Sequence, residues 1–155
     1  MNIVANAEAE TNRIIFDAFK DVGVAKTAKL GCSRHIVVAE DVDEAERLIT
    51  TAFAYWRASL AKLWRDNGAD LIRFPKDFDE AKVRGLAIGG TPAMIRDELA
   101  SQMDASGTNY ILYLFAFGNL ADEVARQSLD LFIDQVALAP FLEPLLSSQE
   151  PQSGA

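Results

Sequence analysis

A run of eight apolar residues without polar alternation, Tyr110–Phe117, is the most distinctive hydrophobic pattern in the chain. Such a run is typical of a parallel strand that other elements cover on both faces. Ahead of it, Ile95, Leu99 and Met103 keep the spacing of a single helical stripe. A second amphipathic helix follows. The pattern predicts a helix, a buried strand and another helix, with the strand as the core of this unit.

The helix ahead of this strand has recognisable boundary residues. Thr91 can serve as its N-cap, Pro92 fits its first position, and Gly107 is placed for a left-handed stop. Gly89 and Gly90 come before Thr91 and predict a loop. Two interpretations of this loop stay open: an ordinary helix start, which we favour, or a phosphate site made by free N–H groups at the helix N-terminus.

Two further strands are expected in the first forty residues. The short apolar stretch Met1–Ala5 predicts one, and Leu30–Glu40 predicts the other, most strongly over His35–Ala39. Between them, the spacing of apolar residues predicts a helix over Asn6–Val22. The apolar stripe of this helix consists of Ile14, Ile15, Ala18 and Phe19.

A long helix follows the second of these strands. It is predicted to run from an N-cap at Asp41 to about Asp66, and Glu44 completes a capping box. One face of it is apolar throughout and is expected to be buried. That face consists of Ala45, Leu48, Ile49, Ala52, Phe53, Trp56, Leu60, Leu63 and Trp64. Its aromatic residues are either core packing, which we favour, or the wall of a ligand site.

The helical periodicity breaks at Asn67–Arg84, where Pro75 prevents a continuous helix and charged residues keep the chain hydrated. We expect an inserted surface loop with a short helix at Asp77–Arg84. Arg73 and Lys76 in this loop are candidates for contact with an anionic substrate. They are equally explained as the solvated charges of a surface loop.

The order of elements specifies an α/β protein with a parallel sheet, because strands and helices alternate along the chain. Residues 1–146 are predicted to form a single domain, and Ser147–Ala155 a polar, disordered tail. Only three strands are predicted. We therefore expect sheet edges that this chain leaves uncovered.

Composition restricts the partners. The 155 residues include 23 acidic and 15 basic side chains, a formal net charge of −8, which argues against nucleic acid or an anionic membrane. No apolar run approaches the roughly 20 residues of a membrane-spanning helix, and no signal-peptide pattern is found, so we expect a cytoplasmic protein. The single cysteine, Cys32, excludes an intrachain disulfide and a cysteine zinc site. We expect its thiol to be buried in a strand, and no metal site is predicted.

His35 is the only histidine and lies inside a predicted strand. It has no second histidine with which to share a metal, and the chain lacks the GxSxG, HExxH, P-loop, CxxC and GxGxxG motifs. Two interpretations stay open. His35 is either a structural residue hydrogen-bonded in place, which we favour, or a proton donor or cofactor contact near the mouth of a barrel.

Several segments resemble one family when they are taken in order. They are RHIVVAE followed by DEAER, the Leu63–Arg65 segment with the FP..F insertion, Gly90-Thr91-Pro92 opening a helix, GTNYILYLFAFGNL, and the SLDLF–QV ending. Their order and spacing are similar to the C-terminal part of the luciferase-like flavin-dependent monooxygenases. The resemblance extends over about residues 2–141.

This resemblance implies the C-terminal portion of a TIM (β/α)8 barrel, with about three βα units and an inserted segment at the mouth. Asn2–Ala5, Leu30–Ala39 and Tyr110–Phe117 would be the sixth, seventh and eighth barrel strands. A complete barrel has about 250 residues, so the first five units are not part of this chain. Their absence leads us to expect either self-association or pairing with a complementing N-terminal half.

The function implied by the resemblance is that of a truncated oxidoreductase or monooxygenase. The family uses FMN, or the deazaflavin F420 in some branches, to oxidise small organic substrates. The alternative is a non-catalytic α/β remnant that serves as an oligomerisation or interaction module.

The resemblance also places a site beyond the carboxyl ends of the strands. It implies cofactor contacts at Asn6, Phe117, Gly118 and Asn119, with His35 as the catalytic candidate. The insertion that carries Arg73 and Lys76 would act as a partial lid. Phe115 and Phe117 share strand parity, so the two rings are expected to point to one face, either the barrel interior or the helices.

Overall fold

The computed structural model describes residues 3–21, 28–69 and 74–137. These ranges form an α/β structure with a parallel sheet, as the alternation predicts. The elements in order are β1 (Ile3–Val4), α1 (Ala9–Asp21), β2 (Leu30–Val38), α2 (Val42–Asp66), α3 (Phe78–Val83), β3 (Ala87–Gly90), α4 (Pro92–Ser106), β4 (Tyr110–Leu114) and α5 (Asp122–Phe132), followed by a π-helical turn at Ile133–Ala137.

Strand β2 is the centre of the sheet. One of its edges pairs with β4 through residues 31–35. Its other edge pairs first with β1, through residues 30–31, and then with β3, through residues 35–38. The N–H of Ala5 donates to the carbonyl of Gly31, and the N–H of His35 donates to the carbonyl of Leu86. Because alternate residues of a strand direct their backbone groups to the same edge, β1 and β3 follow one another along one edge of β2.

Strand β3 is a fourth strand that the sequence did not predict. Gly89 and Gly90 end this strand, so the prediction of a loop there is wrong. A Cβ on Gly89 would lie 2.7 Å from Cγ2 of Ile49, so α2 packs too closely on β3 for a larger residue. Glycine is depleted in strands, and this close packing therefore concealed the strand from a pattern-based prediction.

Helices cover the two faces of the sheet differently. On one face, α2 and α3 pack on β2 and β3 in a buried cluster of Val37, Ile49, Ala52, Phe53, Phe78, Ala81, Ala87 and Phe117. We name this the α2 face. On the opposite face, α4 and α5 pack in a cluster of Ile36, Val38, Ile88, Ile95, Leu99, Phe132 and Val136. We name this the α4/α5 face.

The α2 face is open over the amino-terminal half of the sheet. Val4 pairs with Gly31 and Leu112 pairs with Ser33, so Val4 and Leu112 point to this face, where they are 46% and 42% exposed. The prediction that Tyr110–Phe117 forms a strand buried on both faces is therefore wrong. The strand ends at Leu114, and within the described ranges it pairs with β2 alone.

The predicted boundaries of the helices are largely confirmed. Asp41 caps α2 by accepting a hydrogen bond of 2.8 Å from the N–H of Glu44. Pro92 begins α4, and Gly107 ends it with a φ of 71°. Thr91 occupies the N-cap position of α4, although its side chain makes no capping hydrogen bond.

Three predicted apolar stripes are only partly buried. In α1 the buried residues are Asn12 and Phe16, whereas Ile14 is 71% exposed, so the predicted stripe is wrong. In α2 the predicted stripe is buried or half-buried as far as Leu60, and Leu63 and Trp64 are exposed because the last turns extend beyond the cluster on the α2 face. In α4, Ile95 and Leu99 are buried and Met103 is 40% exposed.

The insertion contains the predicted short helix, as α3, with an N-cap at Asp77. Phe78 and Ala81 are buried on the α2 face, so this segment packs against the sheet and is more than a hydrated loop. Arg73 and the predicted tail at Ser147–Ala155 lie outside the described residues. In the part of the chain that the structure describes, no helix is both long and apolar enough to cross a membrane.

Candidate functional site

A cavity of about 270 Å³ lies on the α2 face, at the carboxyl ends of β1 and β4. We name it the His35 cavity. Asn6 follows β1 by two residues, His35 pairs with the last residue of β4, and Leu86 lies directly ahead of β3. The residues that line it are Asn6, Ser33, His35, Phe53, Trp56, Phe74, Pro75 and Leu86. None of these lining residues is an acid, a lysine or an arginine.

His35 is surrounded by aromatic rings. Its imidazole centroid lies 4.4 Å from that of Trp56, 4.7 Å from that of Phe117 and 5.8 Å from that of Phe53. Burial among these rings lowers the pKa of His35 to about 4, because the charged imidazolium is poorly solvated there. Its Nε2 is buried and has no hydrogen-bond partner among the described residues. His35 is therefore a neutral imidazole, and its Nε2 is enclosed without a hydrogen-bond partner among the described residues.

Asn6 and Ser33 form the second polar part of the cavity. The Oδ1 of Asn6 accepts a hydrogen bond of 3.0 Å from the N–H of Ser33 and a further one from the Ser33 hydroxyl. Because a backbone N–H can only donate, the oxygen of the Asn6 amide must face β2. The amide Nδ2 of Asn6 donates to no described residue. Asn6 itself is exposed, so this contact lies at the solvent-facing side of the cavity.

Arg34 supports this polar pair from the opposite side of the sheet. Its side chain is 1% exposed, and its guanidinium donates to the carbonyl of Ser33 (2.8 Å), the carbonyl of Ala7 (3.1 Å) and Oε1 of Gln102 (2.7 Å). Burial lowers the pKa of Arg34 from its ordinary value. Since Ala7 follows Asn6, these bonds fix the backbone on both sides of the Asn6–Ser33 contact.

Three of the predicted site residues meet at this cavity. His35 and Asn6 line it, and Phe117, which is 9% exposed, packs behind the imidazole of His35. Phe115 lies on the α4/α5 face, with its ring 5.2 Å from that of Phe132. The expectation that Phe115 and Phe117 share a face is wrong, because regular strand structure ends at Leu114 and strand parity does not extend to Phe117.

The other predicted residues are not brought to the cavity. Gly118 has a φ of 63°, and a Cβ on it would lie 2.0 Å from the carbonyl oxygen of Ala52, so its role is close packing against α2. Asn119 is exposed and does not line the cavity. The side chain of Lys76 is also exposed, 3.9 Å from the carboxylate of Asp77.

Sequence reasoning missed several cavity residues. Ser33 carries a signal that was available, because it lies two residues before His35 and so shares its face of the strand. Phe53 and Trp56 were assigned to the core, and they belong to both core and cavity. No periodic pattern marks Phe74, Pro75 or Leu86, which reach the cavity through irregular chain.

A wider groove of about 390 Å³ lies between α1 and α4. Its polar side chains bond to one another: Arg84 to Glu8, and Gln102 to Glu98 at 2.6 Å. The groove is more polar than the His35 cavity, and these four side chains are already engaged with one another. We therefore take the His35 cavity as the candidate site.

No family model matches the chain. Over 126 residues the chain is 32% identical to the uncharacterized protein y4wF from Sinorhizobium fredii, and the match covers 77% of this chain and 37% of that protein. The chain thus spans less than two fifths of the length of this curated relative.

Three solved structures share the fold over about 90% of the chain. The monooxygenase RslO1 from Streptomyces bottropensis matches with a TM-score of 0.69 at 20% identity, over 91% of this chain and 41% of that one. The oxygenating constituent of 3,6-diketocamphane monooxygenase from Pseudomonas putida, a type II Baeyer–Villiger monooxygenase in complex with FMN, matches with a TM-score of 0.63 at 15% identity, over 89% and 42%. Apo-MsnO8 matches with a TM-score of 0.55 at 18% identity, over 89% and 45%.

These likenesses concern the fold. The described residues have the architecture of less than half of each of these proteins, two of which are monooxygenases by name. At this level of identity the likeness carries no residue roles from one chain to the other.

Proposed function

We propose that the chain is the C-terminal part of a luciferase-like, flavin-dependent oxidoreductase or monooxygenase with a TIM-barrel fold. In this proposal the His35 cavity forms one wall of the site for a small organic substrate. The observation that carries it is the buried, unpartnered Nε2 of His35 in an aromatic cavity that lies level with the carboxyl ends of β1 and β4, beside the middle of β2. The likeness in fold to two monooxygenases, one of them in complex with FMN, supports the reaction class.

In this proposal His35 and Asn6 orient the substrate. A neutral imidazole can accept or donate one hydrogen bond at Nε2 according to its tautomer, and the Nδ2 of Asn6 can donate another. Phe53 and Trp56 supply the apolar wall that excludes water. Phe117 packs on the imidazole from behind and holds its ring in place.

The described residues fit a small ring better than a whole flavin. Ligand cavities of drug-sized molecules measure about 300–1,000 Å³, and this one measures about 270 Å³. Among its described lining residues there is no lysine or arginine to neutralise a phosphate. We therefore propose that the phosphate and most of the ring of FMN or F420 are held by a complementing N-terminal half of the barrel, or by a second copy of the chain.

A second candidate function is that of a non-catalytic interaction module. It is favoured by the open part of the α2 face, where Val4 and Leu112 are exposed, and by the edge of β4 that faces away from β2. Exposed apolar residues next to a free strand edge are a surface to which another chain can add. Under either function we place the protein in the cytoplasm, which its single, buried, free cysteine supports.

Co-purification tests the two functions. The chain is co-expressed with the segment of y4wF that lies outside the matched region, and the complex is purified in the presence of FMN or F420. If the enzyme proposal is right, both polypeptides elute together with bound flavin. Elution of both polypeptides without flavin favours the interaction module. Elution of the chain alone as a flavin-free monomer, measured by light scattering, contradicts both proposals.

A further inference from the structure

We infer that two copies of the chain associate through β4, with the two β4 strands antiparallel and Leu112 of each copy at the two-fold axis. This inference assigns one occupant and one register to the open edge of β4. It requires neither flavin nor substrate, so it goes beyond the proposed function. In the dimer, the described strands of the two copies form one continuous sheet.

Strand β4 consists entirely of large apolar side chains, yet the chain does not bury it. Its sequence is Tyr-Ile-Leu-Tyr-Leu, and none of these residues is buried: Leu112 is 42% exposed and the others are half-buried. The other two strands at the sheet edges differ, because β3 is buried throughout and β1 contributes only Ile3 and Val4. Among the described strands, β4 therefore has the longest accessible edge. Apolar surface of this kind is stabilised when another chain removes it from water.

The backbone groups of Ile111 and Tyr113 point away from β2. On β2, His35 donates to the opposite edge, so by alternation Cys32 and Arg34 direct their backbone groups to β4. Cys32 and Arg34 pair with Ile111 and Tyr113, and in a parallel ladder each residue bonds to the two neighbours of its partner. The residues at 110, 112 and 114 are thus engaged with β2. Ile111 and Tyr113 each leave an N–H and a C=O at the open edge.

Strand β4 is complementary to an antiparallel copy of itself. With Leu112 opposite its own copy, Ile111 lies opposite Tyr113 of the second copy, and Tyr110 lies opposite Leu114. Because Ile111 and Tyr113 both direct their backbone groups outward, each can donate to and accept from the other across the edge. Every opposed pair joins an aliphatic side chain to an aromatic or a second aliphatic one, which stabilises a sheet. This self-complementarity, with the same patch on both copies, favours a second copy as the occupant.

Strand β4 lacks the features that usually protect a sheet edge. Such edges commonly carry charges, prolines or bulges, whereas Tyr110–Leu114 has neither charge nor proline and keeps an unbroken register with β2. The nearby cation of Lys29 lies over the ring of Tyr110, 4.5 Å from its centroid. In the antiparallel pair Tyr110 is opposite Leu114, so the two copies of Lys29 lie at opposite ends of the paired strands and do not face each other.

Cysteine cross-linking tests the association. The native Cys32 is 2% exposed, so an introduced surface cysteine is the accessible thiol. At the two-fold axis, position 112 meets its own copy in a non-hydrogen-bonded pair with Cα atoms about 4.5 Å apart, a separation that a disulfide can span. Leu112→Cys should therefore form disulfide-linked dimers on mild oxidation. Leu129→Cys on α5 is the matched control, because Leu129 is 37% exposed, and it should stay monomeric.

A mixture of two variants tests the register. Tyr110→Cys and Leu114→Cys should cross-link to each other when they are mixed, because positions 110 and 114 are opposed. Each variant alone should stay monomeric, since position 110 lies about 14 Å along the strand from its own copy. A disulfide cannot span that distance.

Leu112→Lys measures the strength of the association without a covalent link. It places two ammonium groups against each other at the axis and should raise the dimer Kd at least about tenfold at low salt, and less at high salt. Leu129→Lys makes the same change on α5 and should leave the Kd unaltered. Sedimentation velocity over a range of concentrations gives the Kd of each variant.

Several results overturn the inference. They are a parent chain that stays monomeric at every concentration, Leu112→Cys that cross-links no faster than Leu129→Cys, and Tyr110→Cys that links to itself as readily as to Leu114→Cys. A further one is the loss of the Leu112→Cys dimer when the segment of y4wF outside the matched region is co-expressed, because the occupant of the edge is then another chain.

Failure of the proposed function gives a different result. Disulfide-linked Leu112→Cys dimers that retain no FMN or F420 leave the β4 association intact and count against the oxidoreductase proposal. A flavin retained by a chain that does not pair through β4 supports the reaction class and rejects this inference.

Discussion

The imidazole of His35 meets the ring of Phe117 nearly at a right angle, with the centroids 4.7 Å apart and an angle of 73° between the planes. His35 lies within β2, and Phe117 comes after the end of β4. The contact therefore joins the segment that follows β4 to the part of β2 that lines the His35 cavity. The protonation and the position of His35 both depend on this packing, and two predictions follow from it.

The first prediction concerns pH. Burial lowers the pKa of His35 to about 4, below its ordinary value of 6.5, so between these values the unfolded chain binds a proton that the folded chain does not. Stability should therefore fall as the pH falls through this window, by about 3 kcal/mol in total. Because His35 is the only histidine, its imidazole NMR signals give the folded pKa directly.

The His35→Gln variant is the matched control for this effect. All carboxylates remain in it, so the difference in unfolding free energy between the parent chain and the variant isolates the histidine. That difference, from urea unfolding at a series of pH values, should decrease from pH 7 to pH 4. A His35 that titrates near 6.5 in the folded chain would show that the cavity is open to water.

The second prediction separates Phe117 from Phe115. Replacing Phe117 with alanine removes one ring from around the imidazole and admits water, so the pKa of His35 should rise towards 6.5. Phe115→Ala removes an aromatic ring of the same size from the α4/α5 face, where it packs on Phe132, and should leave the pKa of His35 unchanged. Histidine titration by NMR measures both variants. Equal shifts in the two variants would contradict the assignment of these rings to opposite faces.

The third prediction concerns Gly118. A Cβ there would lie 2.0 Å from the carbonyl oxygen of Ala52, and this backbone atom of α2 cannot move aside without shifting the helix. Gly118→Ala should therefore cost about 3 kcal/mol of unfolding free energy or more. Gly68 is the control, because it has a similar φ of 70° and nothing within 4 Å of its Cβ position. Gly68→Ala should cost only about 1 kcal/mol, measured by urea unfolding.

The fourth prediction concerns the open part of the α2 face. Leu112 is 42% exposed there, next to the free edge of β4, and a glutamine at this position should weaken self-association or pairing with a second chain. Leu129 on α5 is 37% exposed and serves as the control, because Leu129→Gln changes the same chemistry on a helix surface. Sedimentation velocity at several concentrations compares the variants. An equal effect of both substitutions would mean that the open sheet face has no special role.

The sequence predicted most of the elements because local signals carry them. The N-cap at Asp41, the first-turn Pro92 and the left-handed Gly107 each act within a few residues of the boundary that they define. Strand β3 was missed for the opposite reason. Gly89, near its end, is required by the approach of Ile49 from α2, a contact between distant parts of the chain that no local pattern reveals.

The sequence pattern also failed to reveal which polar residues are buried. Asn12 is 0% exposed on the buried side of α1, and its Nδ2 donates to the carbonyl of Ala7, ahead of the helix, at 3.1 Å. A prediction from the spacing of apolar residues cannot identify a buried polar position, and it therefore assigned burial to Ile14 instead of Asn12. The candidate site was predicted in part on similar grounds. His35 and Asn6 follow from strand order, whereas the walls at Phe74 and Leu86 come together only through tertiary packing.

Asn6 has a further consequence through its place on the edge of β2. Along that edge, Ala5 bonds to Gly31, the amide oxygen of Asn6 takes the N–H of Ser33, and Leu86 takes the N–H of His35. One side chain thus bridges the gap where β1 ends and β3 has not yet begun, and it completes a hydrogen-bond ladder that two separate strands share. Asn6 also lines the His35 cavity. A substitution of Asn6 that changes ligand binding would also remove the hydrogen bond that links β1 to β3 along the edge of β2. Ligand selectivity and folding stability are therefore expected to change together at this position.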